Sequence, residues 1–300
     1  MSTPTSAPDR RRRRVLRLLL VGVLALFALW VTASWIGERV VLHPGRWGDG
    51  PTPAAHGWAY RDVSFRDRDG VLLRGWWIPG TGSRTIVMVH GWTSSRREPL
   101  DKAGYLHAAG YNLLVFDLRG HGTSGGTFTT MGLKEPADVQ AAVTEALSLS
   151  PGPVALFGYS MGASTVLEEA ASDPRIAAVV EDSGYATLTD VLSYGFHRVS
   201  GLPAFPFDTA MLAIAALDVH LDPSRVQPIH AAARLQRPLL VIVGTADHMV
   251  PPADGLAIFR AAGGPKRLLV IPGAGHVAGF WVARAVYEST VLSFLKSSLG

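Results

Sequence analysis

The sequence predicts an α/β fold, a mainly parallel sheet with helices on both faces, opened by an antiparallel hairpin. Three observations carry this. Short, wholly apolar runs recur along the chain, as expected of strands buried on both sides. Segments with helical apolar spacing lie between them, and such alternation with right-handed crossovers builds a parallel sheet. At one of the junctions sits Gly158-Tyr159-Ser160-Met161-Gly162, a turn so tight that only small residues fit at its flanks.

The first element precedes the domain. Arg10, Arg11, Arg12, Arg13, Arg14 and Arg17 are six of the 28 Lys and Arg, and Asp9 is one of the 24 Asp and Glu, which leaves 22 positive against 23 negative residues beyond them. The net charge of +4 therefore belongs to the N-terminus and gives no reason to expect a nucleic-acid partner. Leu18–Ile36 follows without a charge, and at about 1.5 Å per residue it nearly spans a bilayer core of about 30 Å. Arginines ahead of such a run stay cytoplasmic. The expected layout is a cytoplasmic basic segment at 1–17, a transmembrane signal anchor at 18–36 in the cell membrane, and an extracytoplasmic domain. Trp30 and Trp35 suit an interfacial belt at the far end of the span. Val31-Thr32-Ala33 resembles a peptidase site, so a cleaved signal peptide and secretion are the alternative. Residues 37–58, dense in Gly and Pro from His43 onward, are expected to be a linker.

The domain is expected at 59–300. Tyr60–Phe65 and Val71–Ile78 flank the turn Arg68-Asp69-Gly70 and read as the hairpin. Central strands are expected at Thr85–Val89, Asn112–Phe116, Val154–Phe157, Ile176–Val180, Leu239–Val243 and Leu268–Ile271. Helices are expected near Arg96–Ala109, Glu135–Leu149, Met161–Ser172, Pro252–Ala262 and Ala278–Leu299. The alternation lapses at about 184–236, where Tyr185, Tyr194, Phe196, Leu202, Phe205 and Phe207 cluster; an insertion of that length reads as a small helical cap. Its aromatics suit an acyl chain or an apolar leaving group.

The chemistry follows from what the chain lacks and where its polar residues fall. With 48% apolar residues it is no disordered chain. With no cysteine there is no thiolate nucleophile and no Cys-ligated metal. No H-E-x-x-H occurs and the histidines have no metal-ligand spacing, so neither metal nor cofactor is expected. Gly120-His121-Gly122-Thr123-Ser124-Gly125 matches G-x-G-x-x-G, but no helix opens on its last Gly to face a pyrophosphate. The nucleophile should be Ser160, thrust out between strand and helix. A serine needs a base and the base a carboxylate, in the chain order Ser, acid, His. Asp247 and His276 each follow a buried strand at its carboxyl end, where ligands of parallel sheets bind. Asp182 is the rival acid, and His248 is too close to Asp247 to serve as base. The Met161 N–H and the Trp92 N–H are the expected oxyanion donors, with His90 holding the loop that carries Trp92 and Asp117 and Arg119 bracing the neighbouring one.

His90-Gly91-Trp92, the stretch Asp117–Gly126, the Ser160 turn, Gly244-Thr245-Ala246-Asp247 and Gly275-His276 together resemble the α/β-hydrolase superfamily over about residues 60 to 298. Within it the chain looks most like membrane-anchored serine hydrolases of the serine-aminopeptidase-like and acyl-esterase branches. The resemblance implies an eight-stranded sheet, a Ser160-His276-Asp247 triad and a small-molecule acyl or ester substrate. An ester hydrolase working through an acyl-enzyme is the expected activity. An aminopeptidase-like enzyme using Glu181, Asp182 and Asp190, an acyltransferase, and a catalytically silent scaffold are the alternatives.

Overall fold

The computed structural model describes residues 8–46, 50–201 and 204–300. Residues 1–7, Trp47 in the expected linker and Leu202 in the expected cap lie outside the described residues. Among the described residues eight strands form one sheet: β1 (Arg61–Arg66), β2 (Leu72–Ile78), β3 (Thr85–Val89), β4 (Asn112–Asp117), β5 (Val154–Tyr159), β6 (Ile176–Asp182), β7 (Leu239–Gly244) and β8 (Lys266–Ile271), in the order β1-β2-β4-β3-β5-β6-β7-β8. β2 pairs antiparallel with β1 and β4, and the other neighbours pair parallel. Several strands run one or two residues beyond their apolar stretch, to Asp117, Tyr159, Asp182 and Gly244. The ladder continues there because the backbone still pairs where side chains turn polar, and those polar ends form the carboxyl rim.

The helices are α1 (Pro8–Leu42), α2 (Arg97–Lys102), α3 (Gly104–Ala108), α4 (Glu135–Leu149), α5 (Met161–Ala170), α6 (Leu188–Ser200), α7 (Ala204–Asp218), α8 (Pro228–Arg234), α9 (Pro252–Ala261), α10 (Gly279–Val282) and α11 (Arg284–Leu299). Period-two alternation divides the strand side chains between two cores. Val87, Val89, Val241 and Val243 pack with α4, α5, α8 and α9, while Ile86, Met88, Leu240 and Ile242 pack with α2, α3 and α11. Each such side chain leaves water at a gain of roughly 1.5–3 kcal/mol, which is why every central strand is apolar on both faces.

Four expectations need correction. The helix expected at Arg96–Ala109 breaks at Ala103, and the C-terminal one breaks at Ala283, whose φ of −135° and ψ of 50° are not helical. That break turns α10 so that both Phe280 and Tyr287 are buried. The segment 184–236 expected as a cap is not all outside the sheet layers, because α8 puts Ala231 and Ala232 into the sheet-covering layer and is bonded to the end of α9 through Gly263 N–H to Ala232 O at 3.1 Å. Residues 37–42, expected in the linker, are the last turns of α1.

That helix is one piece from the arginines to the domain. Its stretch Arg11–Leu42 is long and apolar enough to cross a membrane. Its end belongs to the fold: Ser34, Glu38 and Leu42, spaced four apart and so on one face, are buried, and Arg39 reaches Asp218 at the end of α7 at 3.1 Å. The Leu42 carbonyl, one of the last that an α-helix leaves unpaired, accepts Thr129 N–H at 2.8 Å.

Arg119 ties the hairpin to α4. Its guanidinium meets Asp67 at 2.5 Å, Asp138 at 2.7 Å and Asp69 at 2.8 Å, with Asp67 and Asp138 fully buried. Removing one partner from a buried ionic cluster leaves charge uncompensated. Arg119→Met should therefore cost about 3–5 kcal/mol in urea denaturation; a loss below about 1 kcal/mol, the range of exposed pairs, would mean the cluster carries little.

Candidate active site

β5 delivers Ser160 in a backbone conformation, φ +54° and ψ −120°, that residues other than glycine seldom adopt. α5 begins at the next residue. The flanking glycines have a steric cause: a Cβ at Gly158 would strike the Gly162 carbonyl, and one at Gly162 the Val89 carbonyl. Asp247 follows β7 and His276 follows β8, and their loops are joined by Ala246 N–H to Ala274 O and Gly273 N–H to Thr245 Oγ1, both 2.9 Å.

The three side chains meet. Ser160 Oγ lies 2.8 Å from His276 Nε2, and His276 Nδ1 lies 2.7 Å from Asp247 Oδ2. A carboxylate only accepts, so the partners assign the proton to Nδ1 and leave the Nε2 lone pair to accept from the serine hydroxyl. Asp247 Oδ1 is held by Met249 N–H at 2.9 Å and Val250 N–H at 3.0 Å. Asp247 is 5% exposed, while the His276 side chain keeps 15% of its surface open. The acid is thus enclosed and the base reachable.

The expected oxyanion donors come from the residue after Ser160 and from the loop after β3. Met161 is the first residue of α5, so its N–H has no acceptor within the helix and stands at the positive end of the helix dipole. Gly91 packs against Ser160 so closely that a Cβ there would sit 3.2 Å from Ser160 Cβ, which puts the Trp92 loop beside the hydroxyl. His90 is a brace: Nδ1–H donates to Gly91 O at 2.7 Å, and Nε2 accepts Leu118 N–H at 3.0 Å. Burial lowers its pKa, and burial together with the neighbouring His90 holds His121 at about 4. Both imidazoles are therefore uncharged at neutral pH, each keeping a single ring N–H.

The rivals are engaged elsewhere. Asp182 accepts from Tyr287 Oη at 2.7 Å and Ser183 Oγ at 3.0 Å, and its backbone carbonyl accepts Ser160 N–H at 2.9 Å. His248 is exposed. Glu181 lies fully buried, one oxygen accepting Gly184 N–H at 2.5 Å and the other without a hydrogen-bond partner among the described residues. Burial pushes that carboxyl well above its usual range, which fits a neutral acid. Asp190 is on the surface, bonded to Thr187 in the first turn of α6. Glu181, Asp182 and Asp190 therefore do not combine into an exposed acidic pocket. Asp117 accepts Arg96 N–H at 2.7 Å and Thr123 N–H at 2.9 Å, bracing the loop as expected.

A cleft of about 550 Å³ opens at His276. One wall is charged, with Arg97, Glu98, Asp101 and Lys102, and another is apolar, with Val277, Ala278 and Trp281. Among the described residues none of its lining comes from 184–236, so the aromatic cap does not form this space. Sequence reasoning also missed Glu98, whose Oε2 accepts Gly91 N–H at 2.8 Å and fixes the Trp92 loop. The charged run Arg96–Lys102 was the available signal, since charges gathered after a buried strand face the carboxyl rim.

A family model described as alpha/beta hydrolase family matches residues 86–288. An uncharacterized protein of Mycobacterium tuberculosis is 32% identical and aligns over 88% of this chain and 89% of its own length. The uncharacterized protein YfhR of Escherichia coli K12 is 27% identical over 96% of both chains. Among solved structures, an esterase of Pyrococcus furiosus superposes with a TM-score of 0.74 at 27% identity, covering 87% of this chain and 99% of that one.

Proposed function

The chain belongs to the alpha/beta hydrolase family, and from that membership we propose that it is a serine hydrolase cleaving carboxylic esters through an acyl-enzyme. The observation that carries the proposal is the unbroken hydrogen-bonded chain Ser160–His276–Asp247; the similarity to an archaeal esterase supports it.

In this reading His276 Nε2 takes the Ser160 proton as Oγ attacks the ester carbonyl carbon, and the resulting imidazolium is stabilised by Asp247. Negative charge gathers on the carbonyl oxygen and is met by the N–H groups of Met161 and Trp92. The tetrahedral intermediate collapses, the imidazolium gives its proton to the departing alcohol, and the acyl group stays on Ser160. Water then repeats the sequence with His276 again as base and releases the carboxylic acid. No metal or cofactor is needed for any step. The cleft, charged on one wall and apolar on another, suits an amphiphilic ester of the lipid-like kind.

The N-terminal helix is proposed to serve as a signal anchor, with the arginines on the cytoplasmic side and the catalytic domain outside. A helix that continues into the domain core favours retention over cleavage.

A fluorophosphonate probe should label the full-length chain at Ser160, and p-nitrophenyl esters of graded chain length should be turned over with a clear length preference. Hydrolysis of aminoacyl arylamides with no ester turnover would replace this reading with the peptidase one.

A further inference from the structure

We propose that the end of α1 sets the oxyanion loop, and that the Trp92 side chain is the positioning residue through which it does so. This rests on the hydrolase reading above. Trp92 holds two N–H donors. The backbone one is the proposed oxyanion donor, while the indole Nε1–H donates to Val41 O at 2.8 Å, a partner 51 residues earlier in the chain. Val41 lies in the last turn of α1, where a carbonyl has no intrahelical acceptor role left to fill.

The loop needs such a tie. Thr93, immediately after Trp92, sits at φ +57°, a conformation that costs energy for a residue with a branched side chain. Glu98 holds the near end of the loop at Gly91 N–H, and contact with Ser160 limits how close Gly91 comes. The Val41 carbonyl holds the far side, at Trp92 itself, the residue proposed to supply the second oxyanion donor. The other donor residue is linked to the same helix end: Leu42 O accepts Thr129 N–H, and Thr129 Oγ1 lies 3.7 Å from Met161 Sδ. α1 is itself fixed by its buried stripe and by Arg39 on Asp218. Both halves of the oxyanion site are thereby built against an element outside the hydrolase sheet.

A donor that loses its aim weakens the transition state and leaves substrate binding alone. In full-length Trp92→Phe, which keeps an aromatic ring and loses the indole N–H, kcat per fluorophosphonate-titrated site should fall about ten- to hundredfold, less than the 10²–10³ that follows outright loss of an oxyanion donor. KM for a p-nitrophenyl ester should stay within about twofold, and affinity for a trifluoromethyl ketone, which mimics the tetrahedral intermediate, should fall with kcat. A second pair acts from the helix side. A Cβ at Gly37 would lie 3.5 Å from Met211 Sδ, so Gly37→Ala fits and should keep the wild-type rate, whereas Gly37→Leu should wedge α1 from α7 and lower kcat with KM held. Wild-type kcat in both Trp92→Phe and Gly37→Leu overturns the inference while the hydrolase reading stands. A wild-type chain that neither labels nor turns over esters overturns both.

Discussion

Ser160→Ala should abolish fluorophosphonate labelling and lower ester turnover by about five to six orders of magnitude, leaving the slow hydrolysis that an oxyanion site alone supports. The size of the effect follows from the lack of a substitute. No thiol exists in the chain. The nearby hydroxyls are committed: Ser164 Oγ exchanges hydrogen bonds with Tyr185 O at 3.1 Å and Tyr185 N–H at 2.9 Å, and Ser183 Oγ donates to Asp182 at 3.0 Å. Stability should barely change, because position 160 already places a side chain at positive φ and alanine meets the same constraint. Retained turnover in a variant with unchanged Tm would mean that another atom is the nucleophile.

Asp247→Asn should lower kcat about 10,000-fold at neutral pH, and the surrounding backbone explains why an isosteric change is so costly. Oδ1 of Asp247 takes two N–H donors, from Met249 and Val250. An asparagine must give its carbonyl oxygen to those donors or leave them unpaired in a buried site. Its NH₂ then points at His276 Nδ1, which can only accept, so the ring proton moves to Nε2 and the base is lost toward Ser160. The measurement is kcat together with the probe-labelling rate, both of which should fall while the fold is kept. A reduction below about tenfold would show that His276 is oriented without its carboxylate.

The strands were legible because burial on both faces leaves no room for polar residues: Thr85–Val89 was readable to the residue, and α4 too, with Pro136 near its start and Glu135 and Asp138 in its first turn. The meeting of Ser160, Asp247 and His276 was legible for a topological reason, since each follows a parallel strand at its carboxyl end. Much less could be read about α1. Glu38 and Arg39 look like the close of an apolar span, and only the fold reveals that Arg39 is met by Asp218. The Val41–Trp92 bond uses a backbone carbonyl, which every residue has, so no side chain marks it. The break at Ala283 likewise has neither Pro nor Gly to announce it.

The unbroken helix has a mechanical consequence. Val41, beside the oxyanion loop, is five helical steps beyond Ile36, the last of the uncharged run, a climb of about 7.5 Å at about 1.5 Å per residue. On the proposed anchoring the protein stands on a short stiff mast with no swivel, its height and heading above the lipid set once by the helix. Substrate would then be gathered by diffusion in two dimensions, from molecules lying in or on one leaflet, and turnover would follow their surface density more closely than their bulk concentration.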